Sequence, residues 1–327
     1  MAEPVTFAPG DVLLQQGTPN RGAYFLDAGE VGIHVRLPGG DALTLASRPA
    51  GSVLGEMALV ERGQCTATVV ARTPVTGIFL AGDTFRLLVA RHSPVAIELQ
   101  AALTRELCRK LADLNAQLLS SPSPEDLPAT PVPAGDPLDG WPRLDRGAFE
   151  IRSFLPVLPL FADWEADAID AFVSACRVLE LPRGQAVFHE GAPATACYVT
   201  VRGAVEVSAP VRPPGGAAPT HLRRLSILGP GRLFGYRAVL RDTPQTVRVR
   251  VREPTTLLEC PREEFLASCA MRSRLGLRLR AAAHAALLHA LAQANLTLTR
   301  LVALAQVQGE RRAVLEKALA SGAARAG

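Results

Sequence analysis

The chain has 327 residues, 48% of them hydrophobic and 20% charged, a balance that supports packed domains, two at ordinary size, and excludes wholesale disorder. The net charge of +4 is too small to argue for nucleic-acid binding by charge alone. The opening MAEPVTFAPGDV lacks the basic start and apolar run of a signal peptide, no segment is apolar over the roughly 18 residues of a membrane span, and the expectation is a cytoplasmic protein.

Taken in chain order, VLLQQG from Val12 reads as a short strand ending at a glycine turn, and AYFLDAGEVGIHV from Ala23 as two strands around a turn at Ala28-Gly29. LGEMALVERGQCTATVV follows from Leu54, and its TATVVAR continuation reads as a further strand. Ser93 and Pro94 then open a helix as N-cap and first helical residue. Leu99, Leu103, Leu107, Leu111, Leu114 and Leu118 form a narrow stripe along it, and Glu106 precedes Lys110 by four residues. A stripe this regular suits helix–helix pairing, so these six leucines are the candidate dimerisation face, for a homodimer or another protein partner.

Residues 119–148 are dense in proline and polar, which predicts a semi-extended linker with Trp141 docked back on a domain. WEADAIDAFVSACRVLE from Trp164 is helical in period, with Ala168, Phe172 and Ala175 on one face. Strands return with AVFHEG, CYVTVRGAVEVSA and VRVRVR, whose valines and arginines should face opposite ways. The last helical stretch runs from about residue 273 to 320, with Gly276 and Gly309 as candidate breaks. His284, His289, Gln293, Asn295 and Arg300 interrupt its apolar run. The two histidines, five apart, do not share a helix face and read as surface residues. The six cysteines contain no C-x-x-C pair and read as free thiols.

The chain also resembles itself. Gly10, Gly17, Pro19, Tyr24 and Gly29 recur 174 residues later as Gly184, Gly191, Pro193, Tyr198 and Gly203. Gly51, Gly55, Pro74 and Phe85 recur 180 residues later as Gly231, Gly235, Pro254 and Phe265. The extra six residues fall in the proline-rich loop 210–220. Two copies of one β-rich unit explain this spacing better than a short-period solenoid does.

Glycine-turn strands, then G-x-x-x-G-E-x-A-L, then T-A-T-V, then a long helix, resemble the cyclic-nucleotide-binding domain, the β-roll module of the catabolite activator protein and of the protein kinase A regulatory subunit. The resemblance implies a mainly β fold with helices: two jelly-roll-like cyclic-nucleotide-binding-type β-rolls, each followed by a long helix. The corresponding domains are 1–118 with its C-terminal helix, the linker 119–148, a second roll over 149–270, and a long helix over 271–327.

It further implies that Gly55, Glu56, Met57 and Ala58 open a phosphate-binding turn, since backbone N–H groups at a helix start favour anions. Glu56 would take a ribose hydroxyl, and Thr66 with Ala67 would donate to phosphate. The family's arginine before that pair, a charge-assisted clamp, is Cys65 here. Losing one partner of a buried charge pair costs about 3–5 kcal/mol, or roughly two to four powers of ten in affinity, unless Arg62, Arg109 or Lys110 replaces it. In the second copy, Gly235, Tyr236, Arg237, Gln245 and Thr246 occupy the matching places, with neither the glutamate nor the arginine, so that pocket reads as degenerate.

The reading that follows is a non-enzymatic regulatory or adaptor protein acting through protein contacts, with the first roll as a cyclic-nucleotide gate. P-loop, G-x-S-x-G and H-E-x-x-H motifs are absent from the sequence. One alternative is a second-messenger receptor for cAMP, cGMP or cyclic di-GMP in the first roll. The other is a DNA-binding regulator using Arg272, Arg274, Arg278 and Arg280 on the last helix, disfavoured because no helix-turn-helix pattern follows either roll.

Overall fold

The computed structural model describes residues 2–36, 42–60, 62–120, 123, 126–129, 135–144, 151–211 and 221–323. The first roll is built from β1 (Ala2–Phe7), β2 (Val12–Leu14), β3 (Gly22–Ala28), β4 (Glu30–Arg36), β5 (Ala42–Pro49), β6 (Val53–Leu54), the one-turn helix α1 (Met57–Val60), β7 (Thr68–Ala71) and β8 (Val75–Ala81). Helices α2 (Gly82–Ala90) and α3 (Pro94–Leu119) follow. Its two antiparallel sheets run in the orders β1-β8-β3-β6 and β2-β7-β4-β5. Leu13, Leu26, Val31, Leu54, Val69 and Val75 fill the space between them, as two facing β layers require.

After α3 come a two-residue strand, β9 (Leu127–Pro128), the short helix α4 (Ile151–Phe154), and α5 (Ala166–Ala175). The second roll contains β10 (Arg177–Leu181), β11 (Ala186–Phe188), β12 (Ala196–Arg202), β13 (Val205–Val211), β14 (His221–Leu228), β15 (Leu233–Phe234), α6 (Tyr236–Arg241), β16 (Arg248–Val251) and β17 (Thr255–Pro261). Helices α7 (Arg262–Ala270) and α8 (Arg274–Ala323) close the chain. The sheet orders β10-β17-β12-β15 and β11-β16-β13-β14-β9 repeat those of the first roll, with β9 added at one edge.

The duplication reaches backbone detail. Register shifts fall at Val12/Leu14, Leu26/Ala28 and Ile33/His34 in the first roll, and at Ala186/Phe188, Thr200/Arg202 and Val207/Ser208 in the second. Each pair of irregularities is separated by the repeat distance read from the glycines. Bulges of this kind re-aim a strand, so both rolls bend at the same places.

Several expectations need correction. The leucine stripe of α3 has an intramolecular partner. Leu103, Leu107, Leu111 and Leu118 are buried, Leu99 and Leu114 partly so, and α3 packs along α8. The first half of α3 joins the first roll, where Ala96 and Leu103 pack with Ala23, Leu59 and Phe85. The second half joins the second roll, where Leu107, Leu111 and Leu118 pack with Phe172, Tyr236 and Leu287. Spacing alone identifies an apolar face, not what covers it.

Neither Gly276 nor Gly309 breaks α8, which is continuous over Arg274–Ala323. His284 is not on the surface but 1% exposed between α3 and α8. In β16 the valines point inward as expected, yet Arg248 is buried as well.

The linker is not free of the core. Leu138 is buried among Leu179, Val187 and Phe234, Trp141 Nε1 donates to the Glu180 carbonyl at 3.1 Å, and Leu144 bridges to Val178. Arg143 holds this segment down by donating to the Leu138 and Trp141 carbonyls and to the Glu259 carboxylate. Its composition hid one large apolar side chain with a place to go. Most of the proline-rich loop 210–220 lies outside the described residues.

Candidate functional site: two cradles of unequal content

Both cradles begin at a glycine with left-handed backbone, φ +71° at Gly55 and +77° at Gly235. A Cβ at Gly55 would stand 2.8 Å from the Gly22 carbonyl oxygen, so both conformation and space demand glycine. Cys65 and Gln245, the residues in the place of the family's arginine, sit in the same backbone bracket. Cys65 exchanges hydrogen bonds with Gly17 and Thr18, and Gln245 with Gly191 and Ala192. The two frames match at these positions, while the helix that follows the glycine is one turn in the first cradle and six residues long in the second.

In the first cradle, α1 buries Ala58 and Leu59, and Met57 is partly buried against the core that joins α3 to the second roll. Glu56 points toward α3. There Lys110 Nζ lies 3.1 Å from Glu56 Oε1, with the side chains only 15% and 12% exposed, and donates to the Val53 carbonyl at 2.7 Å. Of the three cations considered from sequence, Lys110 is the one that reaches the cradle. Arg62 pairs with Asp83 and Arg109 with Glu106. Cys65 is buried, Thr66 exposed and Ala67 half-buried. Tyr24 lies close enough for burial, and secondarily Cys65, to raise its phenol pKa.

In the second cradle, Tyr236 turns inward and is buried with Cys108 and Leu111 of α3. Burial, and then the neighbouring Cys108, raises its pKa, which keeps the phenol neutral. Arg237 Nη2 donates to Thr246 Oγ1 at 2.9 Å. Burial, reinforced by Arg241, lowers the Arg237 pKa. Gly235, Tyr236, Arg237, Gln245 and Thr246 all border a cavity of about 270 Å³ that α3 and α8 close from the other side. The sequence places Arg237 only among the degenerate equivalents of the first cradle, and the signal it offers for more is an arginine directly beside the missing glutamate.

The basic start of α8 is largely spent inside the molecule. Arg278 pairs with Glu165, Arg274 reaches Asp167, and Arg280 donates to Gln100 and to the Cys269 and Met271 carbonyls. Arg272 remains exposed. The six cysteines are free thiols, five of them buried. Burial pushes Cys197 up, while hydrogen bonds from Cys176 and Cys197 hold Cys260 down. Among the described residues no helix is long and apolar enough to cross a membrane, and no group of three or more potential ligands could hold a metal ion.

Two tandem β-rolls, each with a glycine-opened cradle, define the class of fold. The chain belongs to the cyclic nucleotide-binding domain family, whose model matches residues 4–92 and 178–272. It is 24% identical over 265 residues, 81% of its length, to the cAMP-dependent protein kinase regulatory subunit of Dictyostelium discoideum. Over 114 residues, 35% of its length, it is 32% identical to the cyclic AMP receptor protein of Thermus thermophilus. It spans 64% and 52% of the length of these curated relatives.

Among solved structures it is similar to the regulatory domain of Toxoplasma gondii PKA with cAMP, at 15% identity and a TM-score of 0.33, over 84% of this chain and 83% of that one. The tandem arrangement implies a regulatory role for the chain.

Proposed function

We propose that this chain is a non-enzymatic regulatory protein that works through protein contacts, with α3 as the element that responds to a nucleotide in the first roll. The observation that carries the reading is the Lys110–Glu56 pair. Glu56 is the carboxylate that the family resemblance assigns to a ribose hydroxyl, and here a lysine of α3 already occupies it. A cyclic nucleotide taking Glu56 has to displace Lys110, and α3 loses its hold on the cradle. The equilibrium shifts only if the ligand binds the released arrangement better than the latched one. Cys65 in place of a phosphate clamp, together with the latch, makes binding weak. The second roll carries no nucleotide in this reading, because Tyr236 and Gln245 offer neither charge.

Calorimetric titration of the full chain with cAMP, cGMP and cyclic di-GMP, with hydrogen exchange read over residues 100–112, tests the gate. The expected result is binding near the millimolar range by a cyclic mononucleotide, faster exchange in that segment, and loss of both in Glu56→Gln. Absence of heat and of any exchange change at millimolar ligand removes the gate and leaves a regulator driven by contacts alone. The DNA-binding reading is weakened because Arg274, Arg278 and Arg280 contact groups within the chain, and salt-sensitive DNA retention at low micromolar protein would restore it.

A further inference from the structure

We infer that the cavity of the second roll is a binding site for a small amphiphilic carboxylate, an organic acid with an aliphatic or aromatic body and no ribose. This concerns a different roll from the nucleotide gate and does not depend on it.

Charge points first to an anion. Three arginines, Arg232, Arg237 and Arg241, border the cavity, and no aspartate or glutamate does. Among the described residues none of the three has a carboxylate within salt-bridge distance. Other arginines of the molecule, such as Arg143, Arg223 and Arg278, do have one. Arg232 and Arg241 are exposed at the rim, but Arg237 is half-buried, where a guanidinium without a counter-charge is costly, and a planar two-oxygen acid matches its fork of donors. Arg237 is also fixed in place. Thr246 follows the position where the family has its clamp, and its hydroxyl accepts from Arg237. The cationic group of this cradle has thus moved from the strand side, where Gln245 now stands, to α6.

The rest of the cavity excludes a nucleotide and favours an apolar body. Tyr236 replaces the carboxylate that would take a ribose hydroxyl, and its ring is packed into the core rather than facing a sugar. The walls opposite the arginines come from α3 and α8, through Leu111, Leu118, Ala286 and Ala290. At about 270 Å³ the space is just below the ordinary range of small-molecule sites. An acid of modest length fills it, with its carboxylate at Arg237 and its body between the helices.

The test uses the full chain and calorimetric titration with decanoate and 2-naphthoate. Decanol serves as the uncharged control and cAMP as the competing ligand. At least one carboxylate is expected to bind in the micromolar range, and decanol roughly tenfold or more weaker. Arg237→Met should remove at least that factor with the thermal midpoint little changed. Ala286→Phe, which leaves every charge in place and fills the wall, should abolish binding on its own. Equal affinity for decanol and decanoate, binding unaffected by both substitutions, or no binding of either acid overturns the inference. So does cAMP binding that depends on Arg237, which assigns the cavity to a nucleotide instead.

Discussion

Arg223 and Asp126 meet through two parallel hydrogen bonds, Nε to Oδ1 and Nη2 to Oδ2, each 2.8 Å long, with both side chains 5% exposed. Arg223 stands on β14, Asp126 lies beyond α3, and the same guanidinium also donates to the Leu118 carbonyl at the end of α3. One residue of the second roll therefore fastens both the helix and the chain that leaves it. Burial alone would raise the Asp126 pKa, but hydrogen bonds from Arg223 and the Ser123 N–H, with the Arg223 charge, outweigh it and hold it below the usual value. The pair thus contributes stability at neutral pH that is lost as pH falls through the lowered value. Arg223→Ala, which strands a buried carboxylate, should cost about 3–5 kcal/mol in urea unfolding at pH 7. A loss below about 1 kcal/mol would mean that the pair behaves as an exposed one.

The latch between Lys110 and Glu56 makes a separate prediction. Lys110→Met leaves Glu56 and the Val53 carbonyl without their shared donor and should destabilise the chain by on the order of 3 kcal/mol. Glu56→Gln should cost less, because an amide oxygen still accepts from the lysine. A double-mutant cycle should return a coupling of about 0.5–3 kcal/mol. Additive single effects would show that the two residues do not act on each other in solution.

The buried His284 sets a pH window. Its Nε2 lies against the Gln100 carbonyl and the Thr104 hydroxyl, while Nδ1 has no partner among the described residues. Burial lowers its pKa to about 4, the Gln100 carbonyl opposes that, and the nearby Arg280 reinforces it. The unfolded chain therefore takes up a proton between about pH 6.5 and 4 that the folded chain refuses. Stability should fall across that window by at most about 1.4 kcal/mol per pH unit from this residue. Unfolding measured at several pH values should show a shallower slope in His284→Gln than in the wild type. Parallel curves for the two proteins would rule the residue out as the source.

The apolar side chains of α3 predict how the molecule melts. Leu107 is 1% exposed and packs in the core that joins α3, α8 and the second roll. Leu107→Ala should cost about 2–5 kcal/mol. Because α3 is shared, calorimetry should show a single transition that moves as a whole. Two transitions, with only one of them displaced, would show that the rolls unfold independently.

Much of this architecture is legible in the sequence because it is written locally. The glycines at 10, 17, 29 and 55 mark left-handed turns, and their recurrence places a second roll without any knowledge of packing. Ala168 and Phe172 announce the buried face of α5 in the same way. What is not legible depends on partners distant in sequence. Lys110 and Glu56 are far apart in the chain, and nothing in either neighbourhood specifies the other. The stripe on α3 marks an apolar face but not that α8 covers it, and Leu138 in a proline-rich stretch gives no periodic signal of burial. Arg237 is named in the sequence as part of a degenerate cradle but not as its cation, because the family pattern directs attention to position 245 whereas the guanidinium arrives from α6.

The division of α3 between two cores has a consequence for how the chain can be taken apart or rearranged. Ala96 and Leu103 belong to one roll, Leu107 and Leu118 to the other. Cutting after α3 strips the second roll of part of its interior and leaves leucines bare on the first, while cutting before it does the reverse. The two rolls therefore share one structural element, and a boundary drawn on either side of α3 divides a core rather than a linker.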